Sequence, residues 1–512
     1  MKHPSTLLVL ALLASVPSNA QPGYLDDSFN GNGILVYDGI SDFCSGGDVA
    51  VRPDGKIWAL GSAHLTDHYS ILLLRFNIDG TADNTFSDDG VETYSIGSGD
   101  AKGYALHLYA NGDLLIGGSV GDSCLLAKVD ENGNLVPSFG DQGILYIPNF
   151  QGVAGHITDL GFQSDGTIVY TASGDGAIIG TVSPEGTLIY NADYSLGSTG
   201  TELDGVLVLP DDRVMATGTV YPANQEPPFG EHRVLVMRFS QAMTPDMGFG
   251  SIEWNQQQQW GAIAIVPDGT FDSETQDFGK DMALSADGHV LVGGGYYSSS
   301  GGRFLLMELN EDGTIVSGFN MGAADSSSII GNHIETIAVL ADGKIVASGL
   351  DPAQHCIVAR FNPDGTPDSD FGHNNGVYPG WTAVALDGSE NTLSGMALMP
   401  DGRIMVTGTI YDSGNQLALA RFNNLAIGVD ESTAPETGVQ IFPNPGTDLV
   451  HIETGLKGPT EVRVLDATGR TVLKATSESS SMALGCANLS PDLYLVEVRT
   501  PEGRQTARWM KQ

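Results

Sequence analysis

Short apolar segments separated by polar turns run through most of the chain, and one such unit repeats. Residues 48–52 form an apolar run, Pro53-Asp-Gly55 supplies turn residues, and residues 56–60 form a second apolar run. This pattern predicts a β-hairpin. The unit occurs seven times, with its last turn residue at Gly55, Gly112, Gly166, Asp212, Gly288, Gly343 and Gly402. The mean spacing of about 58 residues is in the range of four-stranded blades rather than helical repeats.

Each repeat also contains two further strand-like segments. In the first repeat, Ser70–Phe76 is apolar enough to be buried on both faces, and Val91–Tyr94 follows a polar turn. We therefore predict one antiparallel four-stranded sheet per repeat. The third strand recurs at Cys124–Val129, Ala177–Val182, Val234–Phe239, Phe304–Leu309, Cys356–Phe361 and Leu417–Phe422.

The two ends of the repeat region have complementary defects. An N-terminal segment holds a Phe29 loop and one strand, Ile34–Tyr37, without the strands that precede them in other repeats. The seventh repeat stops at Asn423 and lacks that strand. If Ile34–Tyr37 completes the last sheet, no free sheet edges remain. This predicts an all-β fold with a closed seven-bladed β-propeller; an open β-solenoid with capping repeats is the alternative.

The repeat resembles the delta-sixty β-propeller repeat. The matching residues are the Pro53-Asp-Gly-Lys-Ile57 turn, the Asp79-Gly-Thr-Ala-Asp83 and Asp364-Gly-Thr-Pro-Asp368 loops, and the Phe371-Gly loop. The resemblance covers about residues 22–425 and is weakest in the third and fourth repeats. It implies a propeller scaffold but no single chemistry, because a fold does not determine a function.

The remaining segments predict an exported protein with a second domain. Residues 1–20 have a basic start, a short apolar run and small residues before a cleavage position after Ala20, as in a signal peptide. We assign residues 21–425 to the propeller and 426–440 to a linker. Residues 441–512 alternate short strands with Gly and Asp turns, which predicts a small β-sandwich.

This C-terminal segment resembles the type A sorting domain of the type IX secretion system of Bacteroidetes. The resemblance implies passage through the periplasm, recognition by the type IX machinery, and release from the cell or display on its outer surface. Leu493 stands where the family usually has Gly before the tyrosine. The residues that carry the match are Pro443, Asn444, Pro445, Gly469, Arg470, Tyr494 and Lys511.

The net charge limits the classes of partner, and the cysteine count limits the disulfide content. The net charge is −39, which disfavours nucleic acid and anionic membranes. It is consistent with solubility at a cell surface or with recognition of cations. The apolar run of the leader is too short to span a bilayer, and no other segment approaches transmembrane length. The four cysteines are expected to be buried free thiols. We expect a monomer.

Motif searches find little chemistry. The sequence contains no nucleophile elbow, phosphate loop or His-Glu-x-x-His motif. His64 and His68 are expected in a polar loop, where metal ligation is not favoured. No cofactor is expected, although loop aspartates at 79, 83, 364, 368 and 370 leave calcium open. The recurrent Arg75, Arg238, Arg360 and Arg421 are expected to pair with turn carboxylates.

The most unusual stretch is the long fourth repeat, where Trp254 and Trp260 flank a run of amides. These tryptophans are the candidate ligand-binding residues, since such rings stack on sugars, although they could equally cover a sheet edge. Asp272 and Glu274 follow as a carboxylate pair of unknown separation.

Two functions remain open at this point. The first is a non-enzymatic surface scaffold that binds a glycan, a protein or a cation. The second is a secreted polysaccharide hydrolase or lyase with carboxylates at the propeller mouth. A convergent set of acids or histidines at the central channel would favour the enzyme, and a flat polar face would favour the scaffold.

Overall fold

The structure is a computed structural model, and all regular secondary structure among its described residues is β-strand. The chain divides into two compact units, residues 1–427 and 428–512. The structure describes residues 21–148, 155–174, 176–194, 200–221, 232–254, 257–265, 276–298, 301–319, 332–372, 380–386, 390–411, 414–424, 440–442, 449–453, 460–465, 470–477, 481–490, 492–500 and 503–511. Among them, no helix is long and apolar enough to cross a membrane.

The first unit begins with a single strand followed by three regular antiparallel sheets in chain order. Strand β1 is Ile34–Tyr37. Sheet 1 contains β2 (Cys44–Val51), β3 (Ile57–Leu65), β4 (His68–Phe76) and β5 (Val91–Tyr94). Sheet 2 contains β6 (Ala101–Leu108), β7 (Leu114–Val120), β8 (Ser123–Val129) and β9 (Ile144–Ile147). Sheet 3 contains β10 (Gly155–Phe162), β11 (Ile168–Gly174), β12 (Ile178–Val182) and β13 (Leu188–Asp193).

Sheets 4 and 5 depart from this regularity. Sheet 4 contains β14 (Gly200–Val208), β15 (Val214–Tyr221), β16 (Arg233–Phe239) and β19 (Ala262–Ile265), with a separate hairpin of β17 (Ser251–Trp254) and β18 (Gln257–Trp260) inserted before the last strand. Sheet 5 has three described strands, β20 (Gln276–Leu284), β21 (Val290–Ser298) and β22 (Gly301–Leu309).

Sheets 6 and 7 follow, and the last one includes the first strand of the chain. Sheet 6 contains β23 (His333–Val339), β24 (Ile345–Leu350), β25 (Cys356–Phe361) and β26 (Trp381–Val384). Sheet 7 contains β27 (Glu390–Leu398), β28 (Ile404–Tyr411), β29 (Asn415–Phe422) and β1. The predicted pairing is therefore confirmed: β1 lies antiparallel to β29, with Ile34 opposite Ala420 and Tyr37 opposite Leu417.

The first strand of each sheet is the inner strand, and the inner strands contact one another in order. The contacts run β2, β6, β10, β14, β20, β23, β27 and back to β2. We call the end of the sheets where these strands begin the mouth end. The opposite end, where the Pro-Asp-Gly turns join the first two strands, is the turn end. Buried apolar side chains from adjacent sheets pack between them, as in the cluster that joins Trp58 and Leu60 of β3 to Leu114 and Ile116 of β7.

Four arginines at one position of the third strand join neighbouring sheets at the turn end. Each pairs with an aspartate at 2.6–2.8 Å, which confirms the predicted pairing with turn carboxylates. Each guanidinium also lies 4.6–5.0 Å from the centroid of a phenylalanine ring and donates to a carbonyl of the next sheet. The modules are Arg75–Asp83–Phe86, Arg238–Asp246–Phe249, Arg360–Asp368–Phe371 and Arg421–Asp26–Phe29, with acceptors Glu131, Glu311, Asn424 and Ile78 in that order.

The last of these modules connects the two ends of the first unit. Arg421 lies near the end of β29, but its partners Asp26 and Phe29 precede β1, and its carbonyl acceptor Ile78 belongs to sheet 1. The Arg421 side chain is only 1% exposed. Removing one partner of such a buried pair leaves the other charge without compensation.

Two details of the sequence interpretation are settled by the sheets. His64 and His68 do not lie in an extended polar loop, so that prediction was wrong: His64 is the second-last residue of β3, and His68 begins β4 after a two-residue turn. The pattern misled because polar residues at a strand end look like a loop. The four cysteines are buried and free, as predicted. Burial raises the pKa of Cys44 to about 11 and that of Cys124 to about 12.

The second unit contains two sheets that share one core. Its strands are β30 (Gln440–Phe442), β31 (Leu449–Glu453), β32 (Thr460–Leu465), β33 (Thr471–Ser477), β34 (Ser481–Gly485), β35 (Asp492–Thr500) and β36 (Gly503–Lys511). One sheet has the order β30-β31-β34, and the other has the order β33-β32-β35-β36. Ile452 of the first sheet and Val464, Val496 and Trp509 of the second are all buried in this core.

Candidate functional site

Every inner strand carries a β-bulge at the same place. In each, one residue has no partner on the neighbouring strand, so the pairing register shifts by one. A bulge re-aims the side chain of the extra residue. The extra residues are Gly47, Tyr104, Thr158, Asp204, Lys280, Glu335 and Ser394, and we call them the bulge ring.

All seven members of the bulge ring line one cavity of about 590 Å³ among the inner strands. The cavity lies toward the mouth end, because its lining also includes Tyr411 and Asn415 of the β28–β29 connection. Most of the lining is polar, with hydroxyl groups from residues such as Ser62, Thr336 and Thr392. This composition suits a ligand that offers many hydrogen-bonding groups rather than an apolar one.

Charged residues are concentrated on one side of the bulge ring, where Asp204, Lys280 and Glu335 come from sheets 4, 5 and 6. The Lys280 ammonium lies 2.9 Å from Oδ1 of Asp204, and Oε1 of Glu335 lies 2.6 Å from Nε2 of His333. We call these three bulge residues the charged arc. On the other side, Ser394 and Gly47 are small. A Cβ at position 47 would lie 2.4 Å from the Gly103 carbonyl oxygen, so a side chain does not fit there.

The local environment shifts the pKa values of the three residues of the charged arc in different directions. Burial opposes ionisation of Lys280, but the charges of Asp204 and Glu335 outweigh it and raise its pKa. Burial also raises the pKa of Asp204, and Lys280 offsets part of that rise. For Glu335, burial is outweighed by the hydrogen bond from His333 and by Lys280, so its pKa is lowered. The Lys280 ammonium therefore stabilises the charged form of Asp204 against the effect of burial.

Three further carboxylates follow the bulges of sheets 1, 3 and 5 and join neighbouring inner strands. Asp48, Asp159 and Asp281 each accept the amide of the next residue at 2.7 Å. Each also accepts an amide of the following sheet at 2.8 Å, from Leu106, Val206 and Ile337 in that order. Burial raises the pKa of Asp48 to about 7 and that of Asp281 to about 6.

The raised pKa of Asp48 predicts a pH-dependent effect of Asp48→Asn. Because the native pKa of about 7 exceeds the ordinary 3.8, the folded state binds the proton more tightly, and its stability rises as pH falls through about 7. The variant lacks this charge. We expect its Tm, relative to the parent chain, to be most favourable at pH 8 and less so at pH 5, as measured by thermal unfolding. Asp54→Asn, at an exposed turn, is the matched control. A variant-minus-parent Tm difference that is the same at pH 8 and pH 5, or that is more favourable to the variant at pH 5, would contradict the assignment.

Aromatic and histidine rings surround the mouth end of the cavity. Tyr104 and His156 have ring centroids 4.5 Å apart, and both line the cavity. The Lys102 ammonium lies 4.6 Å from the centroid of Tyr69. A neighbouring groove of about 430 Å³ between sheets 2 and 3 shares Lys102, Tyr104 and His156 with the cavity. Flat faces next to polar groups therefore flank the uncharged side of the cavity.

The predicted ligand-binding tryptophans belong to a different part of the unit. Trp254 and Trp260 lie in the β17–β18 hairpin, where Trp254 is opposite Gln257 and Trp260 is opposite Ser251. This hairpin leaves the sheet after the end of β16, which is its turn end. The role of these tryptophans in binding a ligand stays a prediction. Asp272 and Glu274 lie outside the described residues.

The loop aspartates that left calcium open have other partners. Asp79 and Asp364 accept hydrogen bonds from Thr81 and Thr366, closing their own turns. Asp83 and Asp368 each bind an arginine and a lysine. Among the residues that the structure describes, no cluster of His, Cys, Asp and Glu has an arrangement suited to a metal ion.

The sorting-signal residues are only partly described. Pro443, Asn444, Pro445 and Gly469 lie outside the described residues, and Arg470 is exposed just before β33. Tyr494 is buried in β35, and its hydroxyl donates to the Ser490 carbonyl at 2.8 Å. Lys511 is buried near the end of β36. Tyr494 and Trp509 have ring centroids 5.9 Å apart, so the late strands form part of the core of the second unit.

The sequence interpretation missed the bulge ring, although a usable signal was present. Each bulge residue stands eight positions before the last turn residue of its repeat, as Lys280 does before Gly288 and Glu335 before Gly343. Aligning the repeats on their turns would have placed the seven residues in one column. The seven positions carry a different residue type in each repeat, so recurrence of residues alone does not reveal them.

Two family profiles match the chain. Residues 440–512 match the secretion system C-terminal sorting domain. Residues 52–86, 285–319, 340–371 and 400–424 match a β-propeller domain of unknown function, DUF5122. The chain therefore carries a β-propeller domain followed by a type IX sorting domain. The sorting domain implies interaction with the secretion machinery and export to the outer surface or the medium.

Several solved structures are similar to the chain at low identity. PorZ, a surface component of the type IX secretion system of Porphyromonas gingivalis, is 14% identical with a TM-score of 0.38, covering 93% of this chain and 60% of PorZ. A protein of unknown function from Bacteroides caccae is 12% identical with a TM-score of 0.35, covering 71% and 93%. The polysaccharide lyase Uly1 is 10% identical with a TM-score of 0.44, covering 80% and 98%. Similarities this distant do not indicate a function. No curated protein matches the chain.

Proposed function

We propose that this protein is an exported surface scaffold that binds a polar ligand at the mouth of a closed seven-bladed propeller. The single observation that supports binding at this place is the bulge ring, which presents seven non-identical positions around one cavity. The seven sheets, the ring order of the inner strands and the β1–β29 pairing support closure. In this proposal residues 1–20 are a signal peptide, and the second unit is a small β-sandwich that directs the secretion of the propeller.

The charge of the cavity restricts the ligand. Its lining contains five carboxylates, from Asp48, Asp159, Asp204, Asp281 and Glu335, and two ammonium groups, from Lys102 and Lys280. Burial raises the pKa of Asp48 and Asp281 and so reduces their charge near pH 7, but the carboxylates still outnumber the ammonium groups, which disfavours acidic ligands. The same argument disfavours a lyase, because acidic polysaccharides need positive charge at the site.

A hydrolase is the second candidate function. Acids and a histidine do converge at the channel, which is the arrangement that the sequence interpretation associated with an enzyme. The pKa of Asp204 is raised by burial, whereas that of Glu335 is lowered, and such divergence is typical of acid and base pairs in glycosidases. We favour binding because Lys280 lies 2.9 Å from Asp204 and stabilises its charged form, which opposes a role as proton donor.

Blocking the cavity tests the proposal. We expect the full-length protein to retain a member of a panel of immobilised neutral oligosaccharides, acidic oligosaccharides and oligolysine peptides, and Ser394→Trp to abolish retention by filling the small side of the bulge ring. The double variant Trp254→Ala/Trp260→Ala, which alters the hairpin at the turn end, should retain the ligand. Thermal unfolding shows whether each variant is folded. A folded Ser394→Trp protein that still binds, or loss of binding in the hairpin variant, would overturn the assignment to the mouth. Product release by the parent chain, measured separately, would support the hydrolase.

A further inference from the structure

The charged arc has a hydrogen-bonding pattern that indicates a ligand class. Along the ring, Asp204 accepts, Lys280 donates and Glu335 accepts. The structure records one side-chain partner for each carboxylate, and each bond uses a single oxygen: Oδ1 of Asp204 for Lys280, and Oε1 of Glu335 for His333. Lys280 has three donor hydrogens, and the recorded hydrogen bond to Asp204 uses one of them.

Only some chemical groups match an acceptor–donor–acceptor sequence. An ammonium group donates but cannot accept from Lys280, whereas a carboxylate or phosphate accepts but cannot donate to the aspartate and glutamate. A hydroxyl group does both. Two or three hydroxyls on adjacent carbon atoms therefore satisfy the charged arc without leaving a donor or acceptor unpaired, which would be costly in a partly buried site.

The tethered lysine also argues against a cationic ligand. The Lys280 ammonium already lies 2.9 Å from Asp204, where the charges of both Asp204 and Glu335 stabilise it. A ligand cation would have to displace it or lie beside a like charge. The excess carboxylates exclude acidic ligands, so a neutral ligand remains.

The other side of the bulge ring fits such a ligand sterically. Gly47 and Ser394, from the two sheets that follow the arc, project little or no side chain into the cavity, and the Tyr104–His156 pair provides flat faces between them and the arc. Aromatic faces pack against the apolar face of a sugar ring while its hydroxyls point toward polar groups. The bulge ring thus supplies both the hydrogen-bonding groups and the space that recognition of such a ligand requires.

We propose that the bulge ring determines specificity and that Asp204, Lys280 and Glu335 read the hydroxyl groups of a neutral, polyhydroxylated sugar. This inference rests on the proposed function, since it assigns the ligand of the same cavity. It places specificity at one position of each repeat, whereas the remainder of the repeat maintains the fold.

Calorimetric titration of the full-length protein tests this inference with three probes: neutral glucan oligosaccharides, amine-bearing chitosan oligosaccharides and acidic polygalacturonate oligosaccharides. We expect the neutral probes to bind most tightly. Asp204→Asn and Glu335→Gln should each weaken that binding about ten-fold or more, because each loses a charge-assisted hydrogen bond. Asp54→Asn, which removes an exposed carboxylate of a turn outside the cavity, is the matched control and should change affinity less than about two-fold, because an exposed charge is screened by solvent and salt.

The outcomes separate this inference from the function on which it rests. Glu335→Gln leaves the Asp204–Lys280 pair intact, so it remains informative if Asp204→Asn does not fold. Tighter binding of the amine-bearing or acidic probe, or unchanged neutral affinity in folded Asp204→Asn and Glu335→Gln, would overturn the inference. If Ser394→Trp still abolishes that binding, the proposed function stands. Binding that is insensitive to Ser394→Trp defeats both.

Discussion

A chain that begins at Gly39 is expected to lose the cooperative unfolding transition of its first unit. The deletion removes β1, which pairs with β29 along its whole length, and also Asp26 and Phe29, which surround Arg421. Sheet 7 then exposes a strand edge, and Arg421 is buried without its carboxylate. Open edges promote association between chains. Calorimetry should show no sharp transition for this unit, and light scattering should show aggregation.

A circular permutant provides the matched control for this deletion. Its chain starts at Phe43 and places residues 21–42 after Asn424 through a short Gly-Ser linker, followed by the sorting domain. The Gly23 amide lies 2.6 Å from the Asn423 carbonyl oxygen, so a short linker can join these segments. We expect the permutant to regain the transition. A deleted chain that melts cooperatively and stays monomeric would show that β1 is dispensable, contrary to a closed ring.

The second large effect is expected for Arg421→Met. Arg421 is 1% exposed and lies 2.7 Å from Asp26, beneath the Phe29 ring. Methionine preserves much of the apolar stem but leaves the Asp26 carboxylate with less compensation. Breaking a buried pair from one side typically lowers the free energy of unfolding by about 3–5 kcal/mol. Urea unfolding of the parent and the variant measures the difference.

Arg52→Met serves as the control for this variant. Arg52 contacts Glu131 at 3.6 Å, and the Glu131 side chain is 55% exposed, so this pair is screened by solvent. We expect a loss below about 1 kcal/mol. Equal losses for the two variants would show that Arg421 has no special role in joining the ends of the repeat region.

Much of the fold was predictable because the repeats preserve what the fold needs. The Pro-Asp-Gly turns, the third-strand arginines and the complementary truncations at Ile34–Tyr37 and Asn423 are all local or recurrent signals. They predicted the four-stranded sheets, the Arg–Asp pairs and the pairing of the first strand with the last repeat. Repetition reveals such features, since every copy must make the same internal contact.

The candidate site was not predictable in the same way. Asp204, Lys280 and Glu335 are unlike one another, come from three repeats and meet only because the inner strands converge. The tryptophans of the long fourth repeat drew attention because Trp is conspicuous in sequence, whereas a lysine in an apolar strand is not. A period-two pattern does not identify a bulge directly, because the extra residue only shifts the phase of the alternation between the two faces of the strand.

The pairing of β1 with β29 also has a consequence for the order of events during synthesis. The segment around Ile34 is among the first to be made, yet its partner around Ala420 emerges only when the repeat region is nearly finished. Contacts between such distant segments form late and slowly. Until β29 is made, β1 has no partner strand and the newest sheet has an exposed edge. The nascent chain is therefore prone to premature association. A ribosome-stalled or C-terminally truncated product would therefore be the form that most needs a chaperone.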